Sequence, residues 1–215
     1  MVIAVRALAP EEVRVRPAPA EVDFRAILGE AQWARLAAAV QARFCLAAGR
    51  TPHSYGGSMI VRANLAGMLI AQACRLIGTP LAPGRGEGVG VSVEVRPDRK
   101  GGLVWDRTYR FAGHTPVKVS STKIMDGEGR LMEVVRCGLG MRLALSVRAG
   151  ALHFRSVGYF LPLFGMRLAI PLWLTPGRAL ITHQDAGGGW FRFTLSFRHP
   201  VFGETLFQTG LFREI

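Results

Sequence analysis

The stretch Val89-Gly90-Val91-Ser92-Val93-Glu94-Val95-Arg96 decides the fold. Successive side chains of a strand point to opposite faces. Val89, Val91, Val93 and Val95 therefore form one apolar face, and Ser92, Glu94 and Arg96 the other. The same period returns downstream. Phe191, Phe193, Leu195 and Phe197 oppose Arg192, Thr194, Ser196 and Arg198, and Met141, Leu143, Leu145 and Val147 oppose Arg142, Ser146 and Arg148. The pattern predicts strands over 88–96, 102–111, 116–124, 130–136, 140–148, 151–156, 178–184, 190–198 and 204–213. Between them lie turn residues, such as Asp126-Gly127-Glu128-Gly129, Ala149-Gly150 and Gly187-Gly188-Gly189, and separators this short favour antiparallel hairpins. Nine such strands exceed what a flat sheet carries without curling or closing. Each large apolar side chain buried on the inner face contributes about 1.5–3 kcal/mol.

Upstream the period is helical. Trp33, Leu36, Ala37, Val40 and Phe44 form one stripe of a helix expected from about Glu30 to Cys45, with Gly49 and Pro52 beyond its end. Ser58 to Arg62 reads as a short strand. A second helix is expected from Leu65 to Ile77, stopping at Gly78-Thr79-Pro80; it is apolar almost all round, so it is buried or lies against a membrane or a ligand cavity. Residues 1–22, with Pro10, Pro17 and Pro19, read as an arm or linker, and 23–215 as a single domain. The expected fold class is α+β: a mostly antiparallel β-barrel or strongly curved half-barrel with two N-terminal helices packed against it.

Composition narrows the function classes. The 215 residues are 49% hydrophobic and 20% charged, a globular balance. Lys+Arg is 27 against 15 Asp+Glu, a formal net charge of +12, carried almost wholly by arginine. The excess favours an anionic partner: an acidic membrane surface, an anionic small molecule or nucleic acid. The cations are dispersed and form no basic arm, which argues against nucleic acid. Cys45, Cys74 and Cys137 lack metal or redox spacing, so a reduced, cytosolic compartment is expected, with peripheral membrane association in view of the charge. No run approaches the roughly 18 apolar residues of a spanning helix, and Met1 to Ala9 is too short for a signal peptide.

Within this frame the segment Trp105-Asp106-Arg107-Thr108-Tyr109-Arg110-Phe111 breaks the pattern. Trp105, Arg107, Tyr109 and Phe111 share a face, with a cation among aromatics. If that face is interior, Arg107 pairs with Glu133 or Glu94, snorkels to the rim, or grips a carboxylate or phosphate in a bidentate fork while the aromatics hold an acyl or ring system. The segment 157–177 is apolar, aromatic and interrupted by Pro162, Pro171 and Pro176. It reads as neither regular helix nor regular strand. It is an irregular crossover packed on the core, or it covers an open barrel end, touches a membrane or docks a partner; in the covering arrangement Trp173 joins the candidate ligand-binding set.

Other chemistry reads as structural. Gly84-Arg85-Gly86-Glu87-Gly88-Val89-Gly90 lacks the preceding strand and following helix of a phosphate loop and is expected to be a flexible connector. His53, His114, His153, His183 and His199 form no metal motif. His183 and Asp185 share a strand face, an arrangement expected at a solvated turn, and His199 is expected in a turn. Cys45 and Cys74 are expected in the core. No cofactor, metal site or catalytic constellation is read from the chain.

Several segments together resemble the bacterial DUF4166 domain family, from about residue 24 to the end. They are Ile27-Leu28-Gly29; Leu76-Ile77-Gly78-Thr79-Pro80; Trp105-Asp106-Arg107; Gly150-Ala151-Leu152-His153-Phe154; Ile170-Pro171-Leu172-Trp173-Leu174-Thr175-Pro176; and Phe191-Arg192-Phe193 with His199-Pro200-Val201-Phe202-Gly203-Glu204. The chain departs from the family's Trp-x-Arg-x-Phe in having Tyr109 at the last place. That family often lies C-terminal to NAD(P)-binding reductase-like domains of the saccharopine-dehydrogenase type. The resemblance therefore implies a reductase partner, and it carries no catalytic residue onto these positions. The functional expectation is a binding module for a lipophilic, anionic small molecule or lipid held in a β-lined cavity. Its alternatives are an accessory subunit of a separate NAD(P)-dependent reductase acting on a lipophilic substrate, and a structural interaction domain.

Overall fold

The computed structural model describes residues 21–47, 51–77, 81–82, 84–164 and 166–215. Of the expected N-terminal arm, residues 1–20 lie outside the described residues; Val22 is buried and its N–H donates to the Gly101 carbonyl at 3.3 Å.

The strands are β1 (His53–Ala63), β2 (Gly86–Pro97), β3 (Leu103–Arg110), β4 (Val117–Met125), β5 (Leu131–Val134), β6 (Gly140–Arg148), β7 (Ala151–Leu163), β8 (Met166–Ile170), β9 (Arg178–Gly187), β10 (Trp190–His199) and β11 (Gly203–Glu214). Neighbours in sequence pair antiparallel from β1 to β8; β9 joins β7, and β10 and β11 follow. β11 then pairs with β1 and β6 with β7, which closes ten strands into a barrel with β8 appended to β7. The half-barrel alternative is thereby corrected: a closed wall leaves few exposed edges. Bulges between Met59 and Val61, and between Arg142 and Leu143, supply local bending. Two-residue hairpins of type I′ need left-handed backbone at both central positions. Ala149 and Gly150 (φ 48° and 74°) meet that need between β6 and β7.

The α-helices lie N-terminal to β2, as expected, but are shorter and more broken. The 30–45 helix is broken into α2 (Glu30–Trp33) and α3 (Ala38–Ala47), preceded by α1 (Phe24–Leu28). Tertiary bonds make the break: the Ala37 N–H donates to the Gly150 carbonyl at 3.0 Å, and the Gln41 amide caps the carbonyls of Trp33 and Leu36. Trp33, Leu36, Val40 and Phe44 are nevertheless all buried. These helices plug the barrel end that carries the β6–β7 turn. Phe44 packs against Phe24 at 5.0 Å and Phe154 at 5.8 Å. α4 (Leu65–Ala73) lies between β1 and β2, at the opposite end, and continues into a 3₁₀ turn, Cys74–Ile77.

Three further expectations are corrected. The glycine-led connector becomes ladder at Gly86, with a bulge at Gly88 (φ 66°). Ser58–Arg62 is the middle of an eleven-residue strand. The 157–177 segment is largely strand: β7 runs through Pro162, pairs with β8, and a 3₁₀ turn, Leu172–Leu174, follows. β6 stops opposite Phe160, so Pro162 faces no ladder partner on that edge, which is where proline is tolerated.

Candidate functional site

Inside the barrel, above the aromatic plug, lies a cavity of about 400 Å³ with a mostly apolar wall. Three of the five sequence candidates line it. Trp105, Arg107 and Tyr109 alternate along β3 and so face inward together. Phe111 is buried outside the lining, stacked on Tyr109 with ring centroids 6.1 Å apart. Trp173 is 64% exposed and also lies outside the lining; its neighbour Leu174 reaches the cavity.

Arg107 has a partly satisfied fork. Its Nη2 donates to Ser121 Oγ at 2.7 Å, Ser121 donates onward to Glu133 Oε1 at 2.6 Å, and Nη2 stands 3.8 Å from the same carboxylate. Lys123 donates to the other Glu133 oxygen at 3.2 Å and lies 4.6 Å from the Trp105 ring centroid. Burial works to raise the Glu133 pKa, but Lys123 and Arg107 outweigh it and hold the carboxyl below its ordinary value. Burial, only partly offset by Glu133, lowers the Lys123 ammonium. Of the acid partners considered from sequence, Glu133 is the one Arg107 approaches.

Sequence reasoning passed over two lining residues, Arg43 and Lys123, and misplaced a third, His183. Arg43, from α3, places its guanidinium 3.7 Å from the Phe191 ring centroid. Lys123 escaped notice because it continues an inward face begun by Val119 and Ser121, where the apolar pattern gives no warning. His183 belongs to no solvated turn: it is 4% exposed, ringed by Phe44 at 5.0 Å, Phe193 at 5.3 Å and Trp105 at 5.8 Å. Burial, with Arg43 and Lys123 nearby, pushes its pKa well below the ordinary value, so the imidazole is neutral. His199 is buried: Nε2 donates to the Trp173 carbonyl, and Nδ1 accepts from the Val201 and Phe202 N–H groups. Cys45 is exposed rather than in the core, and Cys74 is half-buried at the cavity wall.

Four buried donors or acceptors of the lining have no hydrogen-bond partner among the described residues: Arg43 Nη1, Trp105 Nε1, Arg107 Nε and His183 Nδ1. Most buried polar groups are paired, so four unpaired atoms on the side chains of one lining are unusual. The lining holds three cations, Arg43, Arg107 and Lys123, against one carboxylate, Glu133. Such a wall can grip an anionic head and solvate an apolar body. Among the described residues no three His, Cys, Asp or Glu converge as metal ligands.

Residues 36–212 match a family described as Domain of unknown function (DUF4166). The chain belongs to the DUF4166 family. The match begins at Leu36, inside the helical plug, and spans the barrel to β11, so the cavity and its charged residues lie within the DUF4166 domain. No curated protein matches the chain. No described helix is long and apolar enough to cross a membrane.

Proposed function

We propose that this DUF4166 domain binds an amphiphile with an anionic head, carboxylate or phosphate, inside its barrel. The head meets Arg107, Lys123 and Arg43, and the apolar body lies along Trp105, Tyr109 and the phenylalanines of β10. One observation carries the reading: unpartnered buried polar atoms and an uncompensated positive charge share one apolar cavity. A buried cation without a counter-charge is costly, and an incoming anion removes that cost. A cavity of about 400 Å³ is within the range of small-molecule sites.

Native mass spectrometry and solvent extraction of purified protein test it directly. The expected result is a co-purifying acidic amphiphile that Arg107→Leu reduces. A ligand-free protein that also fails to take up added long-chain carboxylates, or an Arg107→Leu variant that binds them with undiminished affinity, overturns the proposal.

A further inference from the structure

On one side the barrel wall continues beyond its rim. β7 makes its last pairing with β6 at Phe160↔Gly140 and runs on with β8 as its neighbour. The register gives this ribbon two faces. On one, Phe160 is buried, Arg167 lies 5.4 Å from its ring centroid and reaches Asp126 Oδ2 at 4.0 Å. The other face begins in the cavity, where Tyr159 sits opposite Ile170. It continues outward through Leu161 opposite Leu168 and Leu163 opposite Met166, all exposed. At the tip Phe164 is 89% exposed with φ 49°, a conformation unusual for an aromatic residue. One apolar surface thus runs without interruption from the cavity to the tip.

Other elements add to the same end. Leu65 and Leu69 of α4, Trp173 and Leu174 of the 3₁₀ turn, and Val201 and Phe202 of the β10–β11 turn are all exposed. They form one rim: Asn64 Nδ2 donates to the Phe202 carbonyl at 2.8 Å, and His199 ties that turn to the Trp173 carbonyl at 3.2 Å. Leu174 belongs both to the cavity lining and to the exposed surface, so it marks the mouth. Arginines accompany the apolar rim. Arg178 and Arg198 stand directly opposite each other on β9 and β10, both exposed, and neither forms an ion pair among the described residues, although Glu204 is in register with Arg198. Like charges placed this way repel, and an anionic surface would relieve that repulsion.

We infer that this end docks on an anionic lipid bilayer. Phe164 and the flanking leucines enter the boundary between headgroups and acyl chains, and Arg178 and Arg198 meet lipid phosphates. Exposed apolar side chains ringing an opening, with arginines beside them, match the layering of such a bilayer, anionic headgroups over an apolar interior. Exchange of the amphiphile along the β7–β8 face rests on the cavity reading; docking does not.

Vesicle flotation of the 215-residue chain tests this, with vesicles of phosphatidylcholine alone or containing phosphatidylglycerol. The protein is expected to float with the anionic vesicles and to be released by salt. Arg178→Gln with Arg198→Gln should lower the partition coefficient roughly thirtyfold, and Phe164→Ser with Leu168→Ser should abolish flotation. A fluorescent long-chain carboxylate in vesicle-free buffer should bind all variants equally, which shows an intact barrel. Failure of the parent chain to float, or flotation unchanged in both variants, overturns the inference. So does a dimer in ultracentrifugation that Phe164→Ser with Leu168→Ser dissociates. Flotation without probe binding leaves docking standing and removes the cavity reading.

Discussion

His183 is a neutral ring that folding has placed among aromatics and beside two cations, and that placement ties stability to pH. Its folded-state pKa lies below the unfolded value of about 6.5, so the unfolded chain takes up the proton first as the pH falls. The contribution of the neutral ring is fully present above that unfolded value and is lost as the pH drops toward the folded pKa, at up to about 1.4 kcal/mol per pH unit. Urea unfolding at a series of pH values between neutral and mildly acidic should give a shallower slope for His183→Leu than for the parent. His153, lowered in the same direction by burial, is present in both proteins, so the difference isolates His183; coincident slopes would show that it is not held neutral. Glu133 is the second residue on which much rests. Glu133→Gln keeps the shape and removes the one carboxylate facing Arg107 and Lys123. The loss should be about 3–5 kcal/mol by denaturant unfolding, and an added anionic amphiphile should restore more stability to this variant than to the parent. Parental stability in Glu133→Gln would mean that the cluster is not ionised.

α4 is seated by one close approach. A Cβ on Gly67 would lie 1.8 Å from the Thr205 carbonyl oxygen, a backbone atom with no freedom to withdraw. Alanine ordinarily favours a helix over glycine by about 1 kcal/mol; here the clash outweighs it, and Gly67→Ala should destabilise by roughly 1–3 kcal/mol. Because Ile70 of the same helix lines the cavity, displacing α4 should also speed probe dissociation in stopped-flow measurements. An unchanged off-rate together with unchanged stability would exclude this seating. Such contacts explain what the sequence could and could not disclose. Strands such as β2 and β10 are legible because burial follows the pleat. The break between α2 and α3 is not, since it is imposed by the Gly150 carbonyl of a distant hairpin. β8 is hidden because all its residues but Ile170 are exposed, so no inward-outward alternation marks it. Arg107 stood out as a cation among aromatics. Lys123 and His183 did not, because which strand face turns inward is fixed by closure rather than by local pattern.

Closure makes the cavity a property of the whole molecule. The ladder that seals the wall joins β1 to β11, near opposite ends of the described chain, so the lining from β3, β4, β5 and β9 converges only once the barrel is complete. The interior keeps its excess of cations in the folded state alone; unfolded, Arg43, Arg107 and Lys123 are solvated. A ligand that neutralises them therefore binds the native state selectively and raises the melting temperature by mass action. At a free concentration of one hundred times its dissociation constant the gain is about 2.7 kcal/mol, and for a domain of this size each kcal/mol moves the midpoint by about 2–4 °C. A long-chain carboxylate should thus raise the midpoint by roughly 5–10 °C. The alcohol of equal chain length fills the same apolar space but leaves the cations unpaired, so at equal concentration it should give a clearly smaller shift. Lys123→Met with Arg107→Leu should bring the two ligands together. Equal shifts for acid and alcohol in the parent protein would mean that the barrel selects for apolar volume alone and that its buried cations serve the fold rather than the ligand.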